Sequence, residues 1–450
     1  MKSALCVLKA EADFETYLEV RDVTVHDLAA DLGNFEPVQV PQGLPGAVHC
    51  SPDGWLDSIR RGADDLSDTI GAVAHVPSRD GDMTPDAAQL QRRARKLLPS
   101  EVYDYYAGGS GRERTLRANV KAWQQVWLAP RVLRDVSAVD TTASLLGARM
   151  ATPVGVAPTA FHRMAHADGE LATAAGAARA GALYVLSTRS SCRIEETASV
   201  VAAAGGTWWY QVYVMRDRDL TAGLVRRAAA AGAAALVLTA DTPVVGRKRR
   251  SEQFRLEVSD EDFLVNLGPL ADLAAAAQAA DVTFADIGWL GEISGGLPVV
   301  VKGVLRPDDA LACAAHGAAG VIVSNHGGRQ LDGAIPAAVA LPAVAAAVQA
   351  AAPAGQGGFP VYADGGIRTG HDVLAALALG ARAVFVGRPV LWALACGGAD
   401  GVCELLTGLT AELAHAMALA GTASAAGIPE LTAPAAGIPP ARAPGHRLPR

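Results

Sequence analysis

Eight short apolar runs, most of them followed by an alanine-rich helical pattern, constrain the fold of this 450-residue chain more than any other feature. Short runs of Val, Leu and Ile that alternate with helical segments are typical of βα units around a parallel sheet. Eight such units over roughly 240 residues favour a (β/α)8 TIM barrel over the alternative, a doubly wound open sheet. The runs lie at 153–157, 183–187, 208–214, 236–240, 298–302, 321–324, 360–363 and 383–387.

The barrel pattern does not extend to the ends of the chain. Residues 1–82 are acidic and show no strong periodicity, so we predict an N-terminal extension of unknown fold and function. We place the barrel domain at 83–430. Residues 431–450 contain five prolines and predict a disordered tail.

Charge and cysteine content exclude several classes of function. The net charge of −7 comes without a long basic stripe, which argues against a nucleic-acid partner. Six scattered cysteines without a CxxC pair favour a reducing compartment and predict neither a disulfide scaffold nor a metal site. The apolar start at 4–8 is too short for a signal segment, and prolines interrupt 333–353, so we expect a cytoplasmic protein without a membrane segment.

The ends of the last two runs predict a phosphate site. Barrels often bind phosphate with the loops after strands seven and eight, where glycines let backbone N–H groups approach an anion. Gly366 with Arg368 and Gly387 with Arg388 supply that combination at the expected places. The alternative is that these glycines only form tight turns.

The ends of three other runs carry ionisable residues. Lys302 ends a run that should be buried, where a lone cation is costly unless it faces an anion or snorkels to solvent. His326 lies in a glycine-flanked loop three residues before Arg329, and Asp241 follows the fourth run. A histidine oriented by a carboxylate beside an arginine suits an acid–base role, although a structural histidine is the alternative.

These residues belong to motifs of a known family. SNHGGRQLDG at 324–333, VKG at 301–303, DTP at 241–243, DGGIRTG at 364–370 and VGRP at 386–389 occur in order. Together with LPSEVYDYYAGGSG at 98–111, APTAFHRMAHADGE at 157–170 and WYQVYVMRDR at 209–218, they resemble the FMN-dependent 2-hydroxy acid oxidases and dehydrogenases. The likeness runs from about residue 83 to 428.

The resemblance implies a role for each matching position. His326 is the base and Asp241 its hydrogen-bonded partner, while Lys302 stabilises negative charge on the reduced flavin. On the substrate side, Tyr105 and Arg329 hold the carboxylate and Tyr213 reaches the hydroxyl. The resemblance further implies that FMN is bound by Thr159, Ala160, Ser187, Gln211, Thr239, Lys302, Ser324, Asp364, Gly366, Arg368, Gly387 and Arg388.

The implied reaction converts an (S)-2-hydroxy acid to the 2-oxo acid, with O2 or another acceptor reoxidising the flavin. Proton abstraction from the hydroxyl with hydride transfer and abstraction of the α-proton both remain open. The GGSG variant at 108–111 favours an aromatic or otherwise large side chain. The resemblance also implies a homo-oligomer, specifically a tetramer.

Two positions depart from the family pattern. Arg189 stands where some members have a bulky aromatic residue and others a small one. It either turns out to solvent or meets a second polar or anionic group on the substrate. Lys248 replaces an additional carboxylate-binding arginine of some members, which keeps the charge but loses the bidentate fork.

Three alternatives remain at this point. The first is a tailoring oxidase of secondary metabolism that acts on a non-standard substrate. The second is a non-redox lyase or isomerase that uses the phosphate site for its substrate, and the third is a non-catalytic flavin-binding protein. For the 1–82 extension, the His-Pro-Gly-Gly signature of the haem-binding module found in flavocytochrome relatives is absent, and His26 and His49 are weak haem-ligand candidates.

Overall fold

The computed structural model describes residues 86–252, 258–268, 272, 274–351, 358–425, 428 and 431. The predictions for 1–82 therefore lie outside the described residues, as do those for the tail beyond Leu431. That leucine is buried, and its carbonyl accepts a hydrogen bond from the Ala129 N–H at 2.8 Å.

Eight parallel strands close into a barrel, which confirms the (β/α)8 prediction. Each strand lies within or overlaps one of the eight apolar runs, and the last strand pairs with the first through Val384 and Val154. A short antiparallel hairpin, β1 (Ala143–Leu145) and β2 (Ala148–Met150), precedes them. The barrel strands are β3 (Val154–Val156), β4 (Tyr184–Leu186), β5 (Trp208–Val212), β6 (Leu236–Thr239), β7 (Val299–Val304), β8 (Gly320–Val323), β9 (Val361–Asp364) and β10 (Val384–Val386).

Helices follow most strands and surround the barrel. The connection between β6 and β7 is the longest, and its described residues contain three helices. In chain order the described helices are α1 (Ala87–Leu97), α2 (Ser100–Ala107), α3 (Arg114–Trp123), α4 (Gly169–Arg179), α5 (Ile194–Ala203), α6 (Arg218–Ala230), α7 (Arg249–Glu252), α8 (Asp260–Leu264), α9 (Ala285–Ile293), α10 (Pro307–Ala315), α11 (Ala337–Ala351), α12 (Gly370–Ala378) and α13 (Arg388–Leu419).

Helix α13 is long and apolar enough to cross a membrane by length and composition alone. It is interrupted at Gly397 and Gly398, whose backbone angles are not helical. Half of its most apolar window is buried inside the protein, where the helix packs against α1 and α4. Packing against the barrel's own helices therefore accounts for this composition.

Side chains on each strand alternate between two layers, as the period of two requires. On β7, Val299 and Val301 pack outward against the helices, whereas Val300 points into the barrel. The lower barrel interior is filled by large side chains that include Trp209 and Tyr362. The next inward positions toward the carboxyl ends of the strands are polar. A layer of polar side chains therefore lies between this apolar interior and the open end of the barrel.

Candidate active site

A cavity of about 400 Å³ opens at the carboxyl ends of the strands. Nearly all the residues predicted from the sequence line it, and the two exceptions, Asp241 and Ser324, bond the lining residues His326 and Lys302. The predicted residues that line the cavity are Tyr105, Thr159, Ala160, Ser187, Arg189, Gln211, Tyr213, Thr239, Lys248, Lys302, His326, Arg329, Asp364, Gly366, Arg368, Gly387 and Arg388.

The strand period explains why polar side chains meet here. Gln211 lies two residues after the inward-facing Trp209, and Lys302 lies two after Val300. Gln211 accepts a hydrogen bond from the Ser187 hydroxyl at 3.2 Å and donates Nε2 to Thr239 Oγ1 at 2.9 Å. These bonds join β5 to its two neighbours and fix a polar floor for a ligand.

His326 and Asp241 form an oriented pair. His326 Nδ1 lies 2.9 Å from Asp241 Oδ1. Burial alone would raise the pKa of Asp241, but the charges of His326 and Lys302 outweigh it and hold this pKa at about 2. Burial lowers the pKa of His326, and Lys302 adds to that effect against the opposing Asp241 carboxylate. At neutral pH the pair is a neutral imidazole beside a carboxylate, so Nδ1 carries the proton and Nε2 is free to accept one.

The loop that carries His326 is held by a contact that the sequence analysis missed. His326 has a positive φ of 58°, a conformation uncommon for residues other than glycine. The side-chain amides of Asn325 and Asn119 exchange two hydrogen bonds of 2.7 and 2.8 Å. The His326 N–H also donates to Ser324 Oγ at 3.0 Å. These bonds fix the loop and therefore the imidazole.

Gly303 allows Asp241 to approach β7. Its φ is 110°, and a Cβ there would lie 2.6 Å from the Asp241 Cβ. The register between β7 and β8 also shifts at this point, between Lys302 and Val304. A glycine is therefore required for the carboxylate to stand behind His326.

Lys302 is buried and has a carboxylate and a hydroxyl as partners, which explains how a strand end tolerates it. Its Nζ lies 3.2 Å from Asp364 Oδ2 and donates to Ser324 Oγ at 3.0 Å. Burial alone would lower the pKa of Lys302, but Asp364 and Asp241 outweigh it and raise this pKa. The ammonium therefore stays charged, and it contacts the cavity rather than bulk water.

Arg329 lies against Tyr105 at one end of the cavity. Its guanidinium carbon is 5.0 Å from the Tyr105 ring centroid, and Nη1 donates to the Tyr105 carbonyl at 2.7 Å. Tyr213 lines the same region, where burial and then the Asp241 charge raise the pKa of its hydroxyl. This end can bind a carboxylate and keep a phenol protonated beside it.

Two further arginines, Arg368 and Arg388, line the cavity without a carboxylate within ion-pair distance among the described residues. In the described part of the chain, Arg388 donates to the carbonyls of Tyr106, Gly108 and Gly327 at 2.9 to 3.0 Å. Burial and then the charges of neighbouring arginines lower its pKa well below the usual value. Burial also lowers the pKa of Arg368. Buried guanidinium groups without a carboxylate partner favour an anion, and phosphate is an anion that arginine binds through paired hydrogen bonds.

The two residues that depart from the family pattern, Arg189 and Lys248, both lie in the cavity wall. Arg189 lines the cavity instead of pointing to solvent, and its Nη2 donates to the Ala276 carbonyl at 2.7 Å. Lys248 also lines the cavity, with Nζ 3.1 Å from the Gly246 carbonyl. Burial and then the Arg329 charge lower the pKa of Lys248 to about 8. Both cations are therefore available to a ligand.

The fold and the cavity define a barrel enzyme whose site offers cations for a phosphate-bearing cofactor and for an anionic substrate. The family model of the FMN-dependent dehydrogenases matches residues 94–433. The chain belongs to this family, and it is an FMN-dependent oxidoreductase. This result sets aside the non-redox lyase or isomerase alternative.

Curated relatives are similar over most of the chain. A 4-hydroxymandelate oxidase of Amycolatopsis orientalis is 45% identical over 348 residues, covering 75% of this chain and 94% of the relative. An L-lactate oxidase of Nostoc sp. is 42% identical, covering 74% and 93%. A crystal structure of mandelate oxidase superposes with a TM-score of 0.71 at 44% identity, covering 77% of this chain and 98% of the other.

The described residues fit FMN on structural grounds. Arg368 and Arg388 are the uncompensated cations that a phosphate would pair with. Gln211 and Thr239 offer polar groups for an isoalloxazine edge, and the Lys302 ammonium lies at the same layer. When bound, FMN supplies a two-electron acceptor.

Proposed function

We propose that this enzyme oxidises an (S)-2-hydroxy acid to the corresponding 2-oxo acid, with His326 as the base. The observation that carries the proposal is the neutral His326, fixed by Asp241, in a cavity that also presents Arg329 and Lys302. Such a cavity combines an acceptor for a proton with cations for the charges that develop around it.

Different residues of the chain bind the substrate, accept the proton and stabilise charge. Arg329 and Tyr105 hold the substrate carboxylate, which directs the 2-hydroxyl carbon toward His326 Nε2. In both routes left open by the sequence, His326 takes up a proton and Asp241 stabilises the resulting imidazolium. Lys302 supplies positive charge to the flavin ring, and Asp364 keeps that lysine charged in the absence of ligand.

We propose an aromatic or large substrate side chain. Tyr105, Phe161 and Phe263 form a row of rings in the cavity wall, with neighbouring centroids 6.5 and 6.0 Å apart. Flat apolar groups pack well against such a wall. The relative named 4-hydroxymandelate oxidase and the mandelate oxidase structures agree with this choice.

The remaining proposals concern the electron acceptor, the cellular location and the oligomeric state of the enzyme. O2 or another acceptor reoxidises the flavin, and the protein acts as a cytoplasmic homo-oligomer. Among the described residues, Cys192, Cys313, Cys396 and Cys403 are free, which suits a reducing compartment. Cell fractionation and light scattering test location and oligomeric state.

The direct test of function is an anaerobic visible spectrum of the FMN-loaded protein with a panel of (S)-2-hydroxy acids. We expect the flavin bands to bleach with mandelate faster than with lactate or glycolate. A His326→Gln variant that binds FMN serves as the control and should bleach far more slowly. A yellow protein that no 2-hydroxy acid reduces would overturn the proposal.

A further inference from the structure

Arg189 lies in the cavity wall, and no carboxylate among the described residues is within ion-pair distance of it. Among the described residues its side chain makes one hydrogen bond, from Nη2 to the Ala276 carbonyl, and its guanidinium carbon lies 5.0 Å from the Phe263 ring centroid. Its Nη1 is buried and has no hydrogen-bond partner in the part of the chain that the structure describes. A buried cation in this state is costly unless a ligand supplies the missing acceptor.

The neighbours of Arg189 do not remove this cost. Burial lowers its pKa, and the groups that oppose the shift are tyrosines, Tyr213, Tyr210 and Tyr105, rather than a carboxylate. Phenols are neutral at pH 7, so they leave the guanidinium charge uncompensated. Rotation about the side-chain bonds can bring Nη1 to an anion in the cavity.

Gln278 adds a second polar group at this end of the cavity. It lies two residues after Ala276, and its Oε1 is buried with no partner among the described residues. The oxygen and nitrogen of an amide are nearly equivalent in shape, so a turn of the amide presents Nε2 as a donor instead. An apolar substrate end would leave both Gln278 and Arg189 unsatisfied.

The aromatic row separates Arg189 from the carboxylate-binding Arg329. Arg329 lies against Tyr105, Phe161 follows, and Arg189 lies against Phe263. A ligand between the two guanidinium groups is therefore flanked by rings along its middle and by a cation at each end. This order of groups matches an aromatic ring that carries an anionic group at both ends.

Building on the proposed function, we propose that the substrate is dianionic: an aryl 2-hydroxy acid whose ring bears a second carboxylate that pairs with Arg189. The reaction at the 2-hydroxyl is unchanged: the substrate loses two electrons and two protons to the flavin and His326. Arg189 acts as a specificity-determining residue, and the product is a dianionic 2-oxo acid.

The test compares (S)-mandelate with (S)-4-carboxymandelate as reductants of the FMN holoenzyme. An ion-paired hydrogen bond changes binding by roughly 10- to 100-fold, so we expect kcat/KM to favour the carboxylated substrate by that factor. Arg189→Leu should abolish the preference, and Arg189→Lys should restore part of it. The control Arg193→Leu removes an exposed charge four residues away and should keep the wild-type ratio.

Ligand binding tests the role of Arg189 without turnover. Benzoate and benzene-1,4-dicarboxylate perturb the flavin spectrum without reducing it, and we expect the dicarboxylate to bind wild-type holoenzyme more tightly. This comparison decides the proposal even where Arg189→Leu fails to fold. Equal binding of the two, or a substrate ratio that Arg189→Leu leaves unchanged, overturns the dianion while mandelate bleaching still supports the proposed function. Failure of every 2-hydroxy acid to bleach the flavin overturns the proposed function instead.

Discussion

Lys248 should make ligand binding depend on pH just above neutrality. Its Nζ donates to the Gly246 carbonyl and has no carboxylate within ion-pair distance among the described residues. Burial and then the charge of Arg329 lower its pKa to about 8. A bound carboxylate supplies the missing counter-charge and therefore raises this pKa in the complex.

The sign and size of the effect follow from linkage. A group whose pKa rises on binding contributes fully to the binding affinity below its pKa in the free protein. That contribution is lost as the pH rises toward its pKa in the complex. With a free pKa of about 8, Lys248 is roughly 90% charged at pH 7 and 10% charged at pH 9, so affinity should fall about tenfold between them. Burial lowers the pKa of His326 and favours its neutral form over the same range.

The assay measures the Kd of benzoate from the flavin difference spectrum of the holoenzyme between pH 7 and 9.5. Lys248→Arg keeps a permanent charge and should bind with a flat profile, whereas Lys248→Met should be flat and weaker at pH 7. A wild-type profile without the decline refutes the reasoning. So does a Lys248→Arg variant that retains the wild-type slope.

Three further predictions address the base, the cofactor site and the core. His326→Ala should slow flavin reduction by roughly 10²- to 10⁴-fold while FMN content and spectrum stay normal, and normal reduction kinetics would remove its assignment as the base. Arg388→Leu should raise the Kd for FMN at least about tenfold, measured by flavin fluorescence on dilution, because a buried charge-assisted contact to phosphate is lost. Trp392→Ala should destabilise the protein by about 3–5 kcal/mol in urea unfolding, since the indole is 1% exposed and stacks on Tyr103 at 5.2 Å; an unchanged midpoint would contradict this.

The sequence predicts the barrel well because its signal is local. Each barrel strand is short, apolar and followed by a helical pattern, and the inward positions after Trp209 and Val300 carry Gln211 and Lys302. Side-chain contacts between residues far apart in sequence produce no such local pattern. The amides of Asn119 and Asn325 meet across 206 positions, so nothing local indicates that they hold the His326 loop.

Two other features show where local patterns fail. The hairpin of β1 and β2 has strands of only three residues, too short for a periodic signal, yet Leu145 and Met150 are buried in the lower barrel core. In α1, Leu97 lies seven residues after the buried Leu90, a spacing that puts both on one face of a helix, yet Leu97 is 60% exposed near the helix end. Whether a residue at the end of a helix or strand is buried depends on its tertiary contacts, and a short stretch of sequence does not reveal these.

The charges of the cavity explain why a neutral base can work among so many cations. Lys302 is matched by Asp364, and Asp241 stands behind His326, so the middle of the cavity is close to neutral. The guanidinium groups of Arg189 and Arg388 have no matching carboxylate among the described residues, so they remain for anionic ligands, Arg388 for the phosphate and Arg189 for the substrate side chain. The charges of Lys302 and Arg329 already lower the pKa of His326, and the Asp241 carboxylate opposes them. Without Asp241, these cations would lower the imidazole pKa further and weaken it as a proton acceptor.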